Sequence, residues 1–380
     1  MSEVSMDQTR GLNGTYEKIQ RVDPFLWIIP LVLNCFGLVM IVSLTSPHSM
    51  EVWGSPFVVG FRQVQWSFLG LTAMFLIYLF PIAFWERLSA YLWMAAFLLS
   101  FCTLIPGIGI EAGGARRWID IGTLQFQPIE LLIFAVVIHL SKCLSRSEEA
   151  PLKMFLGITL AVIFISIIPL LLQPDIGGML LLSIICMGIH VENRGWGYPL
   201  VIGSAGLALL FPFIIRESYR LRRYVAFLDP WKEPLDSGFQ VIQGLVAFAN
   251  GGLLGVGIGK GLQKMNYLPA AHTDYIFAAI GEEFGFIGTG LVVILFTMWA
   301  WRCFKVYKQA PSPFLRTLLW GLVISVLLPF FINVGGVTKL LPLTGMPLPF
   351  MSYGGSSLLM MWIRVGLIVR ITKEIVGTPS

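Results

Sequence analysis

The sequence predicts an all-α, polytopic membrane protein of about ten transmembrane helices, with a long extracytoplasmic loop between helices 7 and 8. Three observations predict it. First, the 380-residue chain is 56% apolar and only 12% charged, with a mean hydropathy of +0.79, whereas soluble domains carry about 25% charged residues. Too few polar groups remain to cover a water-facing surface. Second, several windows reach the ~20 apolar residues that ~30 Å of hydrocarbon requires. Third, Lys and Arg gather in alternate connecting segments, as the positive-inside bias demands.

The charge-free windows run 24–50, 63–85, 88–110, 154–174, 195–215, 317–338 and 340–363. Three weaker windows complete the set: 176–191, 284–301, and 124–141 with Glu130 inside it. The window 237–259 is equally charge-free but holds seven glycines, two glutamines and an asparagine. Its helix propensity is poor, so it is expected not to cross. This choice also keeps Arg302, Lys305, Lys308 and Arg316 on the inside, with Arg87, Lys142, Arg146, Lys153, Arg194, Arg364, Arg370 and Lys373. The short outer segments then carry only Arg62, Arg116, Arg117 and Lys339.

This reading divides the chain into a cytoplasmic N-terminal tail, 1–23, a single transmembrane domain, 24–372, and a cytoplasmic C-terminal tail, 373–380. The polar first tail, expected to be disordered, does not resemble a cleavable signal peptide. The outer loop, about 216–280, is basic, with Arg216, Arg220, Arg222, Arg223, Lys232, Lys260 and Lys264. Long loops cross regardless of charge, so this cluster either binds an anionic ligand or pairs with anionic lipid. The remaining basic residues are scattered between apolar runs, which excludes nucleic acid as a partner. The five cysteines sit in or beside apolar runs without metal-ligand or paired spacing, and read as small hydrophobes. No internal repeat is evident, which weakens an inverted-repeat transporter reading.

Ionisable residues at membrane depth are functional candidates. Here they are Glu130, Asp175 in the Gln173-Pro-Asp turn, Asp274, Glu282, Glu283 and Lys339. All project to the outer side, and no chain of acids links them to His139 or His190 near the inner ends. The pattern suits an outer-surface site rather than a through-pathway. In His272-Thr-Asp274-Tyr-Ile-Phe277 a carboxylate meets apolar neighbours where a helix re-enters the membrane. Partial desolvation there suits a general base, and an N-cap at Thr273 or Asp274 is the equal alternative. In Gly113-Gly-Ala-Arg-Arg117-Trp118, two guanidiniums beside an indole suit a phosphate and a sugar face. Taken by itself, an interfacial anchor is the simpler reading of that segment. The glycine-rich stretch Gly251–Gly261 fits neither the Walker nor the dinucleotide pattern, and reads as closely approached backbone lining a cavity.

At these residues the chain resembles the SEDS family of shape, elongation, division and sporulation proteins, over about 25–372. The carriers are Gly114-Ala-Arg-Arg-Trp118 leading to Gln127-Pro-Ile-Glu130; Gln173-Pro-Asp-Ile-Gly177; Phe239-Gln-Val-Ile-Gln243; Gly251-Gly-Leu-Leu-Gly-Val-Gly257; Tyr267-Leu-Pro-Ala-Ala-His272-Thr-Asp274 with Gly281-Glu-Glu283; and Gly345-Met-Pro-Leu-Pro349-Phe-Met-Ser352-Tyr-Gly-Gly-Ser356-Ser357. Gln263-Lys264 ahead of Tyr-Leu-Pro-Ala-Ala-His-Thr-Asp resembles the FtsW or SpoVE type more than the RodA type.

The resemblance implies an inverting glycosyltransferase that polymerises lipid II into peptidoglycan strands in cell division. It implies a class B penicillin-binding protein as partner, among other divisome membrane proteins. It puts the essential acid on Asp274 and an Arg-Trp pair on Arg117 and Trp118. The expected substrate-binding set also includes Glu130, Arg222, Arg223, Lys260, Lys264, His272, Ser352 and Ser356. No bound metal or cofactor is expected; a divalent cation would arrive with the substrate pyrophosphate. Three departures stand out: Ile129 replaces a common Ser, Gly244 replaces another, and Ile133 stands where members often carry a Lys, leaving Glu130 without its usual partner. A lipid II flippase and a non-catalytic scaffold are the rival readings.

Overall fold

The computed structural model describes residues 21–377 apart from 113–114, 123, 148, 198, 201–202, 204–224, 237 and 264–267. Its helices are α1 (Phe25–Trp53), α2 (Val58–Leu79), α3 (Ile82–Cys102), α4 (Pro128–Ser145), α5 (Leu152–Leu172), α6 (Ile176–Arg194), α7 (Phe239–Gly251), α8 (Ile276–Tyr307), α9 (Pro313–Val337) and α10 (Gly355–Gly377). All but α2 and α7 are long and apolar enough to cross a membrane. The 22-residue α2 has the length but carries Arg62, Gln63 and Gln65 in its first two turns. The chain is thus an all-α, multi-pass membrane protein. The expected crossing at 195–215 and the cations Arg216, Arg220, Arg222, Arg223 and Lys264 lie largely or wholly outside the described residues.

Several boundaries differ from the charge-free windows, for one physical reason. Helices run past the hydrocarbon, so their ends carry charge: α2 starts ahead of Arg62, and α3 starts at Ile82 and contains Glu86 and Arg87. The window 340–363 is the largest correction. Residues 338–354 are not helical, and the last helix starts only at Gly355. Pro342, Pro347 and Pro349 remove backbone donors and hold φ, which breaks a helix. Arg364, expected on the inside after the last crossing, is buried within α10.

A small antiparallel sheet, β1 (Gly109–Ala112), β2 (Ala115–Ile121) and β3 (Leu124–Phe126), occupies the α3–α4 connection. The charge-free window 88–110 and the weaker window 124–141 both run into it. The strands have 4, 7 and 3 residues, and the longest, Ala-Arg-Arg-Trp-Ile-Asp-Ile, does not alternate apolar with polar, so no period-two signal announces them.

The candidate crossing at 237–259 becomes α7, 13 residues long and so about 20 Å, too short to span. The loop after it repairs a break in α8. Gly285 has φ 67° and ψ −162°, and the helix hydrogen bonds fail there. Gly252 and Leu253 carbonyls accept from Phe286 and Ile287 N–H at 2.9 and 3.2 Å, while Val256 and Gly257 N–H donate to Glu282 and Glu283 carbonyls, both at 3.0 Å. Buried Glu282 then holds the returning chain, accepting from Leu262 N, Gln263 N and Asn250 Nδ2 at 3.1, 3.2 and 3.4 Å. Glu283 accepts from Ser43 Oγ of α1 at 2.9 Å. A Cβ on Gly251 would strike the Gly281 carbonyl. Gly251→Ala should therefore cost about 1–3 kcal/mol by overpacking, read as a lower melting temperature in detergent. Gly157→Ala, where a Cβ meets nothing within 4 Å, should not lower it.

Candidate active site

The N-terminal ends of α2, α4, α6, α8 and α10 converge on a cavity of about 1240 Å³. The sheet and the 344–354 connection complete its wall. It gathers five of the sequence-derived candidates, Arg117, Trp118, Glu130, Asp175 and Asp274, from segments far apart in the chain.

Asp274 lies on the wall just ahead of α8, beside Thr273. Three consecutive carbonyls hold this turn. His272 O accepts from Tyr353 N at 2.9 Å, Thr273 O from Ser352 Oγ at 2.6 Å, and Asp274 O from Asn333 Nδ2 at 2.8 Å. Ser352 Oγ also accepts from Leu348 N at 2.8 Å, and Asn333 Nδ2 donates to Met346 O at 2.8 Å. The 345–357 motif thus folds back to fix the turn that carries the carboxylate. The capping alternative is not realised: α8 begins after Tyr275 with no side-chain cap, and Thr273 Oγ donates to Ala270 O at 3.2 Å.

Arg117 owes its direction to a β-bulge. Ile110 pairs with Trp118 and Glu111 with Arg116, so Arg117 is the extra residue of β2. A bulge re-aims a side chain, and here two successive residues, Arg117 and Trp118, both line the cavity. The Arg117 guanidinium is tied to the turn before α6: Nε lies 3.5 Å from Asp175 Oδ1, and Nη2 donates to Pro174 O at 3.3 Å. Asp175 itself caps α6, accepting from Gly178 N at 3.2 Å.

Glu130 sits in the first turn of α4 and faces the cavity. Its expected lack of a partner is corrected. Arg364 Nη2 of α10 donates to Glu130 Oε2 at 2.9 Å and to its carbonyl at 3.3 Å.

Other expected residues fall elsewhere. The Ser352 hydroxyl is engaged with backbone, as above. Ser356 is fully buried, and its neighbour Ser357 lines the cavity instead. Lys260, in the loop braced by Glu282, is not among the lining residues. His272 packs edge-on to Tyr353, with ring centroids 5.7 Å apart. Burial, and then nearby His48, hold its pKa below the ordinary histidine value, so it is neutral at pH 7 and offers no cation there. Arg62 of α2 lines the cavity although the sequence marked it only as an outer cation. Asp175, a candidate from its place at membrane depth but outside the expected substrate-binding set, lines the cavity as well.

Four carboxylates, Asp120, Glu130, Asp175 and Asp274, and two guanidiniums, Arg62 and Arg117, wall this cavity among the described residues. The class is therefore a polytopic membrane protein with a polar, charged site at one end of its helix bundle. Over residues 24–376 the sequence matches the FtsW, RodA and SpoVE family, described as cell cycle proteins, and the chain belongs to that family. It is 34% identical over 372 residues to a probable peptidoglycan glycosyltransferase FtsW of Geobacter sulfurreducens, covering 97% of this chain and 99% of the relative. It is 34% identical over 354 residues to the stage V sporulation protein E of Bacillus subtilis, covering 92% and 97%. Among solved structures, a chain from a peptidoglycan synthase complex, solved for its coordination of polymerization and crosslinking, superposes with a TM-score of 0.77 at 28% identity, covering 94% of this chain and 99% of that one. The rod shape determining protein RodA of Thermus thermophilus gives 0.69 at 25% identity, covering 93% and 97%.

Proposed function

We infer that this protein is a peptidoglycan glycosyltransferase that polymerises lipid II into glycan strands at the outer face of the cytoplasmic membrane during cell division. The observation that carries the reading is that Asp274, the best-placed carboxylate, shares one cavity with Arg62 and Arg117 inside a membrane bundle. Asp274 takes the proton from a hydroxyl of the acceptor sugar. That oxygen attacks the anomeric carbon of the donor, the new C–O bond forms, and the bond to the prenyl pyrophosphate breaks with inversion. Arg62 and Arg117 meet the charge that grows on the departing pyrophosphate, and a divalent cation would come with that group. Trp118 offers a flat apolar face for a sugar ring. A class B penicillin-binding protein would crosslink the strand, beside other divisome membrane proteins.

Orientation follows from charge. Lys142, Arg146, Arg194, Lys305, Lys308 and Arg316 lie at the end of the bundle opposite the cavity. The positive-inside bias supports a cytoplasmic location for that end, where α1 begins and α10 ends. Cysteines at positions 260 and 305, on either side of α8, should then label from opposite faces. Labelling of both from one face would overturn this topology.

Purified protein reconstituted with its partner and lipid II should yield polymer. Movement of lipid II across the bilayer without polymer would return the chain to the flippase reading, and neither activity to the scaffold.

A further inference from the structure

We propose that Arg364 is a positioning residue for substrate binding: from α10 it holds the Glu130 carboxylate at the inner edge of the cavity, where Glu130 accepts a hydrogen bond from the sugar of the lipid-linked substrate. The Arg364 side chain is 1% exposed and that of Glu130 is 13% exposed. The pair therefore has a sealed side and a side open to the cavity. Arg364 engages Oε2 and the Glu130 backbone carbonyl, and its Nη1 lies 3.3 Å from Met361 Sδ. This leaves Oε1 to meet a hydroxyl or acetamido N–H of the ligand. Next to Glu130 the wall turns apolar, with Ile133, Leu181 and Met361. The pair thus stands where a polar sugar head gives way to a prenyl chain.

Stability is a poor reason to keep such a pair. Arg364 Nε is buried without a hydrogen-bond partner. Well-packed apolar residues in place of a buried ion pair are often neutral or stabilising, whereas removing one partner strands a charge. Ionisable residues inside membrane helices generally mark a working site. Ile133 supplies an internal check. It lies three residues beyond Glu130 on α4 and lines the same cavity. A cation placed there meets Glu130 at helical spacing and replaces Arg364 from a different helix.

The inference rests on the glycosyltransferase reading, so wild-type turnover is measured first, and binding of fluorescent lipid II is measured alongside it. Arg364→Met should lower kcat/KM by on the order of 10–100-fold, the scale of a misplaced contact, mostly through KM, with weaker lipid II binding. Because that variant leaves a buried carboxylate alone and can misfold, two others decide. The neutral double variant Glu130→Gln/Arg364→Met should fold with at least wild-type melting temperature yet bind and use lipid II poorly. Ile133→Lys/Arg364→Met should regain most of the binding and activity. Wild-type binding by the neutral double variant, or a folded Ile133→Lys/Arg364→Met protein that binds as weakly as Arg364→Met, would overturn the proposal and make the pair a strut between α4 and α10. If wild type binds lipid II but forms no polymer, the enzyme reading fails, and the binding comparison still decides the role of Arg364.

Discussion

Asp274→Asn should fold, bind lipid II and its partner, and polymerise at least ~100-fold more slowly than wild type. A sugar hydroxyl holds its proton far above pH 7. A positioned base that takes that proton as the new bond forms contributes about 10²–10⁴ in rate. Asparagine keeps the shape and removes the basicity. Folding should survive because the turn is held through backbone carbonyls of His272, Thr273 and Asp274, which the substitution leaves in place. Glu282→Gln is the matched control: Glu282 is buried away from the cavity and accepts from loop N–H groups. It should lose stability rather than turnover. Polymerisation within a few-fold of wild type by Asp274→Asn would remove Asp274 as the base. Glu130 would then be tested next, because it faces the same cavity, whereas Glu283 is engaged with Ser43 of α1.

What the sequence could and could not announce follows from the range of the interactions. Crossing helices are written locally, as runs of apolar residues, and most were legible. The glycine content of 237–259 also spoke locally and excluded a full crossing. The acid at 274 and the Arg-Trp pair at 117–118 were marked by composition and resemblance, yet their meeting in one cavity depends on the bundle. Arg364 was misread because a charge was taken as the end of a helix. Its partner Glu130 is 234 positions away in the chain, and no local pattern reports such a pair. The bulge that turns Arg117 inward depends on strand register, and Arg62 looks like any interfacial arginine until α2 is packed. Prolines 342, 347 and 349 did carry a signal against a helix through 340–354, and counting charges alone passed over it.

Arg117 should prove intolerant even of lysine. Its guanidinium is asked to do two things at once. Nη2 donates to the Pro174 carbonyl and Nε lies in ionic contact with Asp175 at 3.5 Å, which restrains the plane, and the same side chain lines the cavity. The side chain is 37% exposed, so its charge is screened and the ion pair adds little by itself. The value of the arrangement is orientation: a planar fork held along one edge presents a fixed edge to a pyrophosphate. Lysine offers a single charged point on a flexible stem and cannot satisfy both edges. A hydrogen bond to a charged group is worth about 1.5–3 kcal/mol, so Arg117→Met and Arg117→Lys should each lose roughly 10–100-fold in kcat/KM at 1.36 kcal/mol per tenfold. Asp175→Asn, which keeps a capping oxygen for α6 but loses the charge facing Arg117, should show part of the same loss. Its effect should shrink to near zero in an Arg117→Met background, since the orienting role has nothing left to orient. Arg116→Met, whose guanidinium pairs with exposed Glu111 at 3.4 Å on the sheet and is not among the cavity's lining residues, should stay close to wild type. Additive losses for Asp175→Asn and Arg117→Met would show that the two act separately, and equal losses at Arg116 and Arg117 would reduce both to general attraction for an anionic lipid.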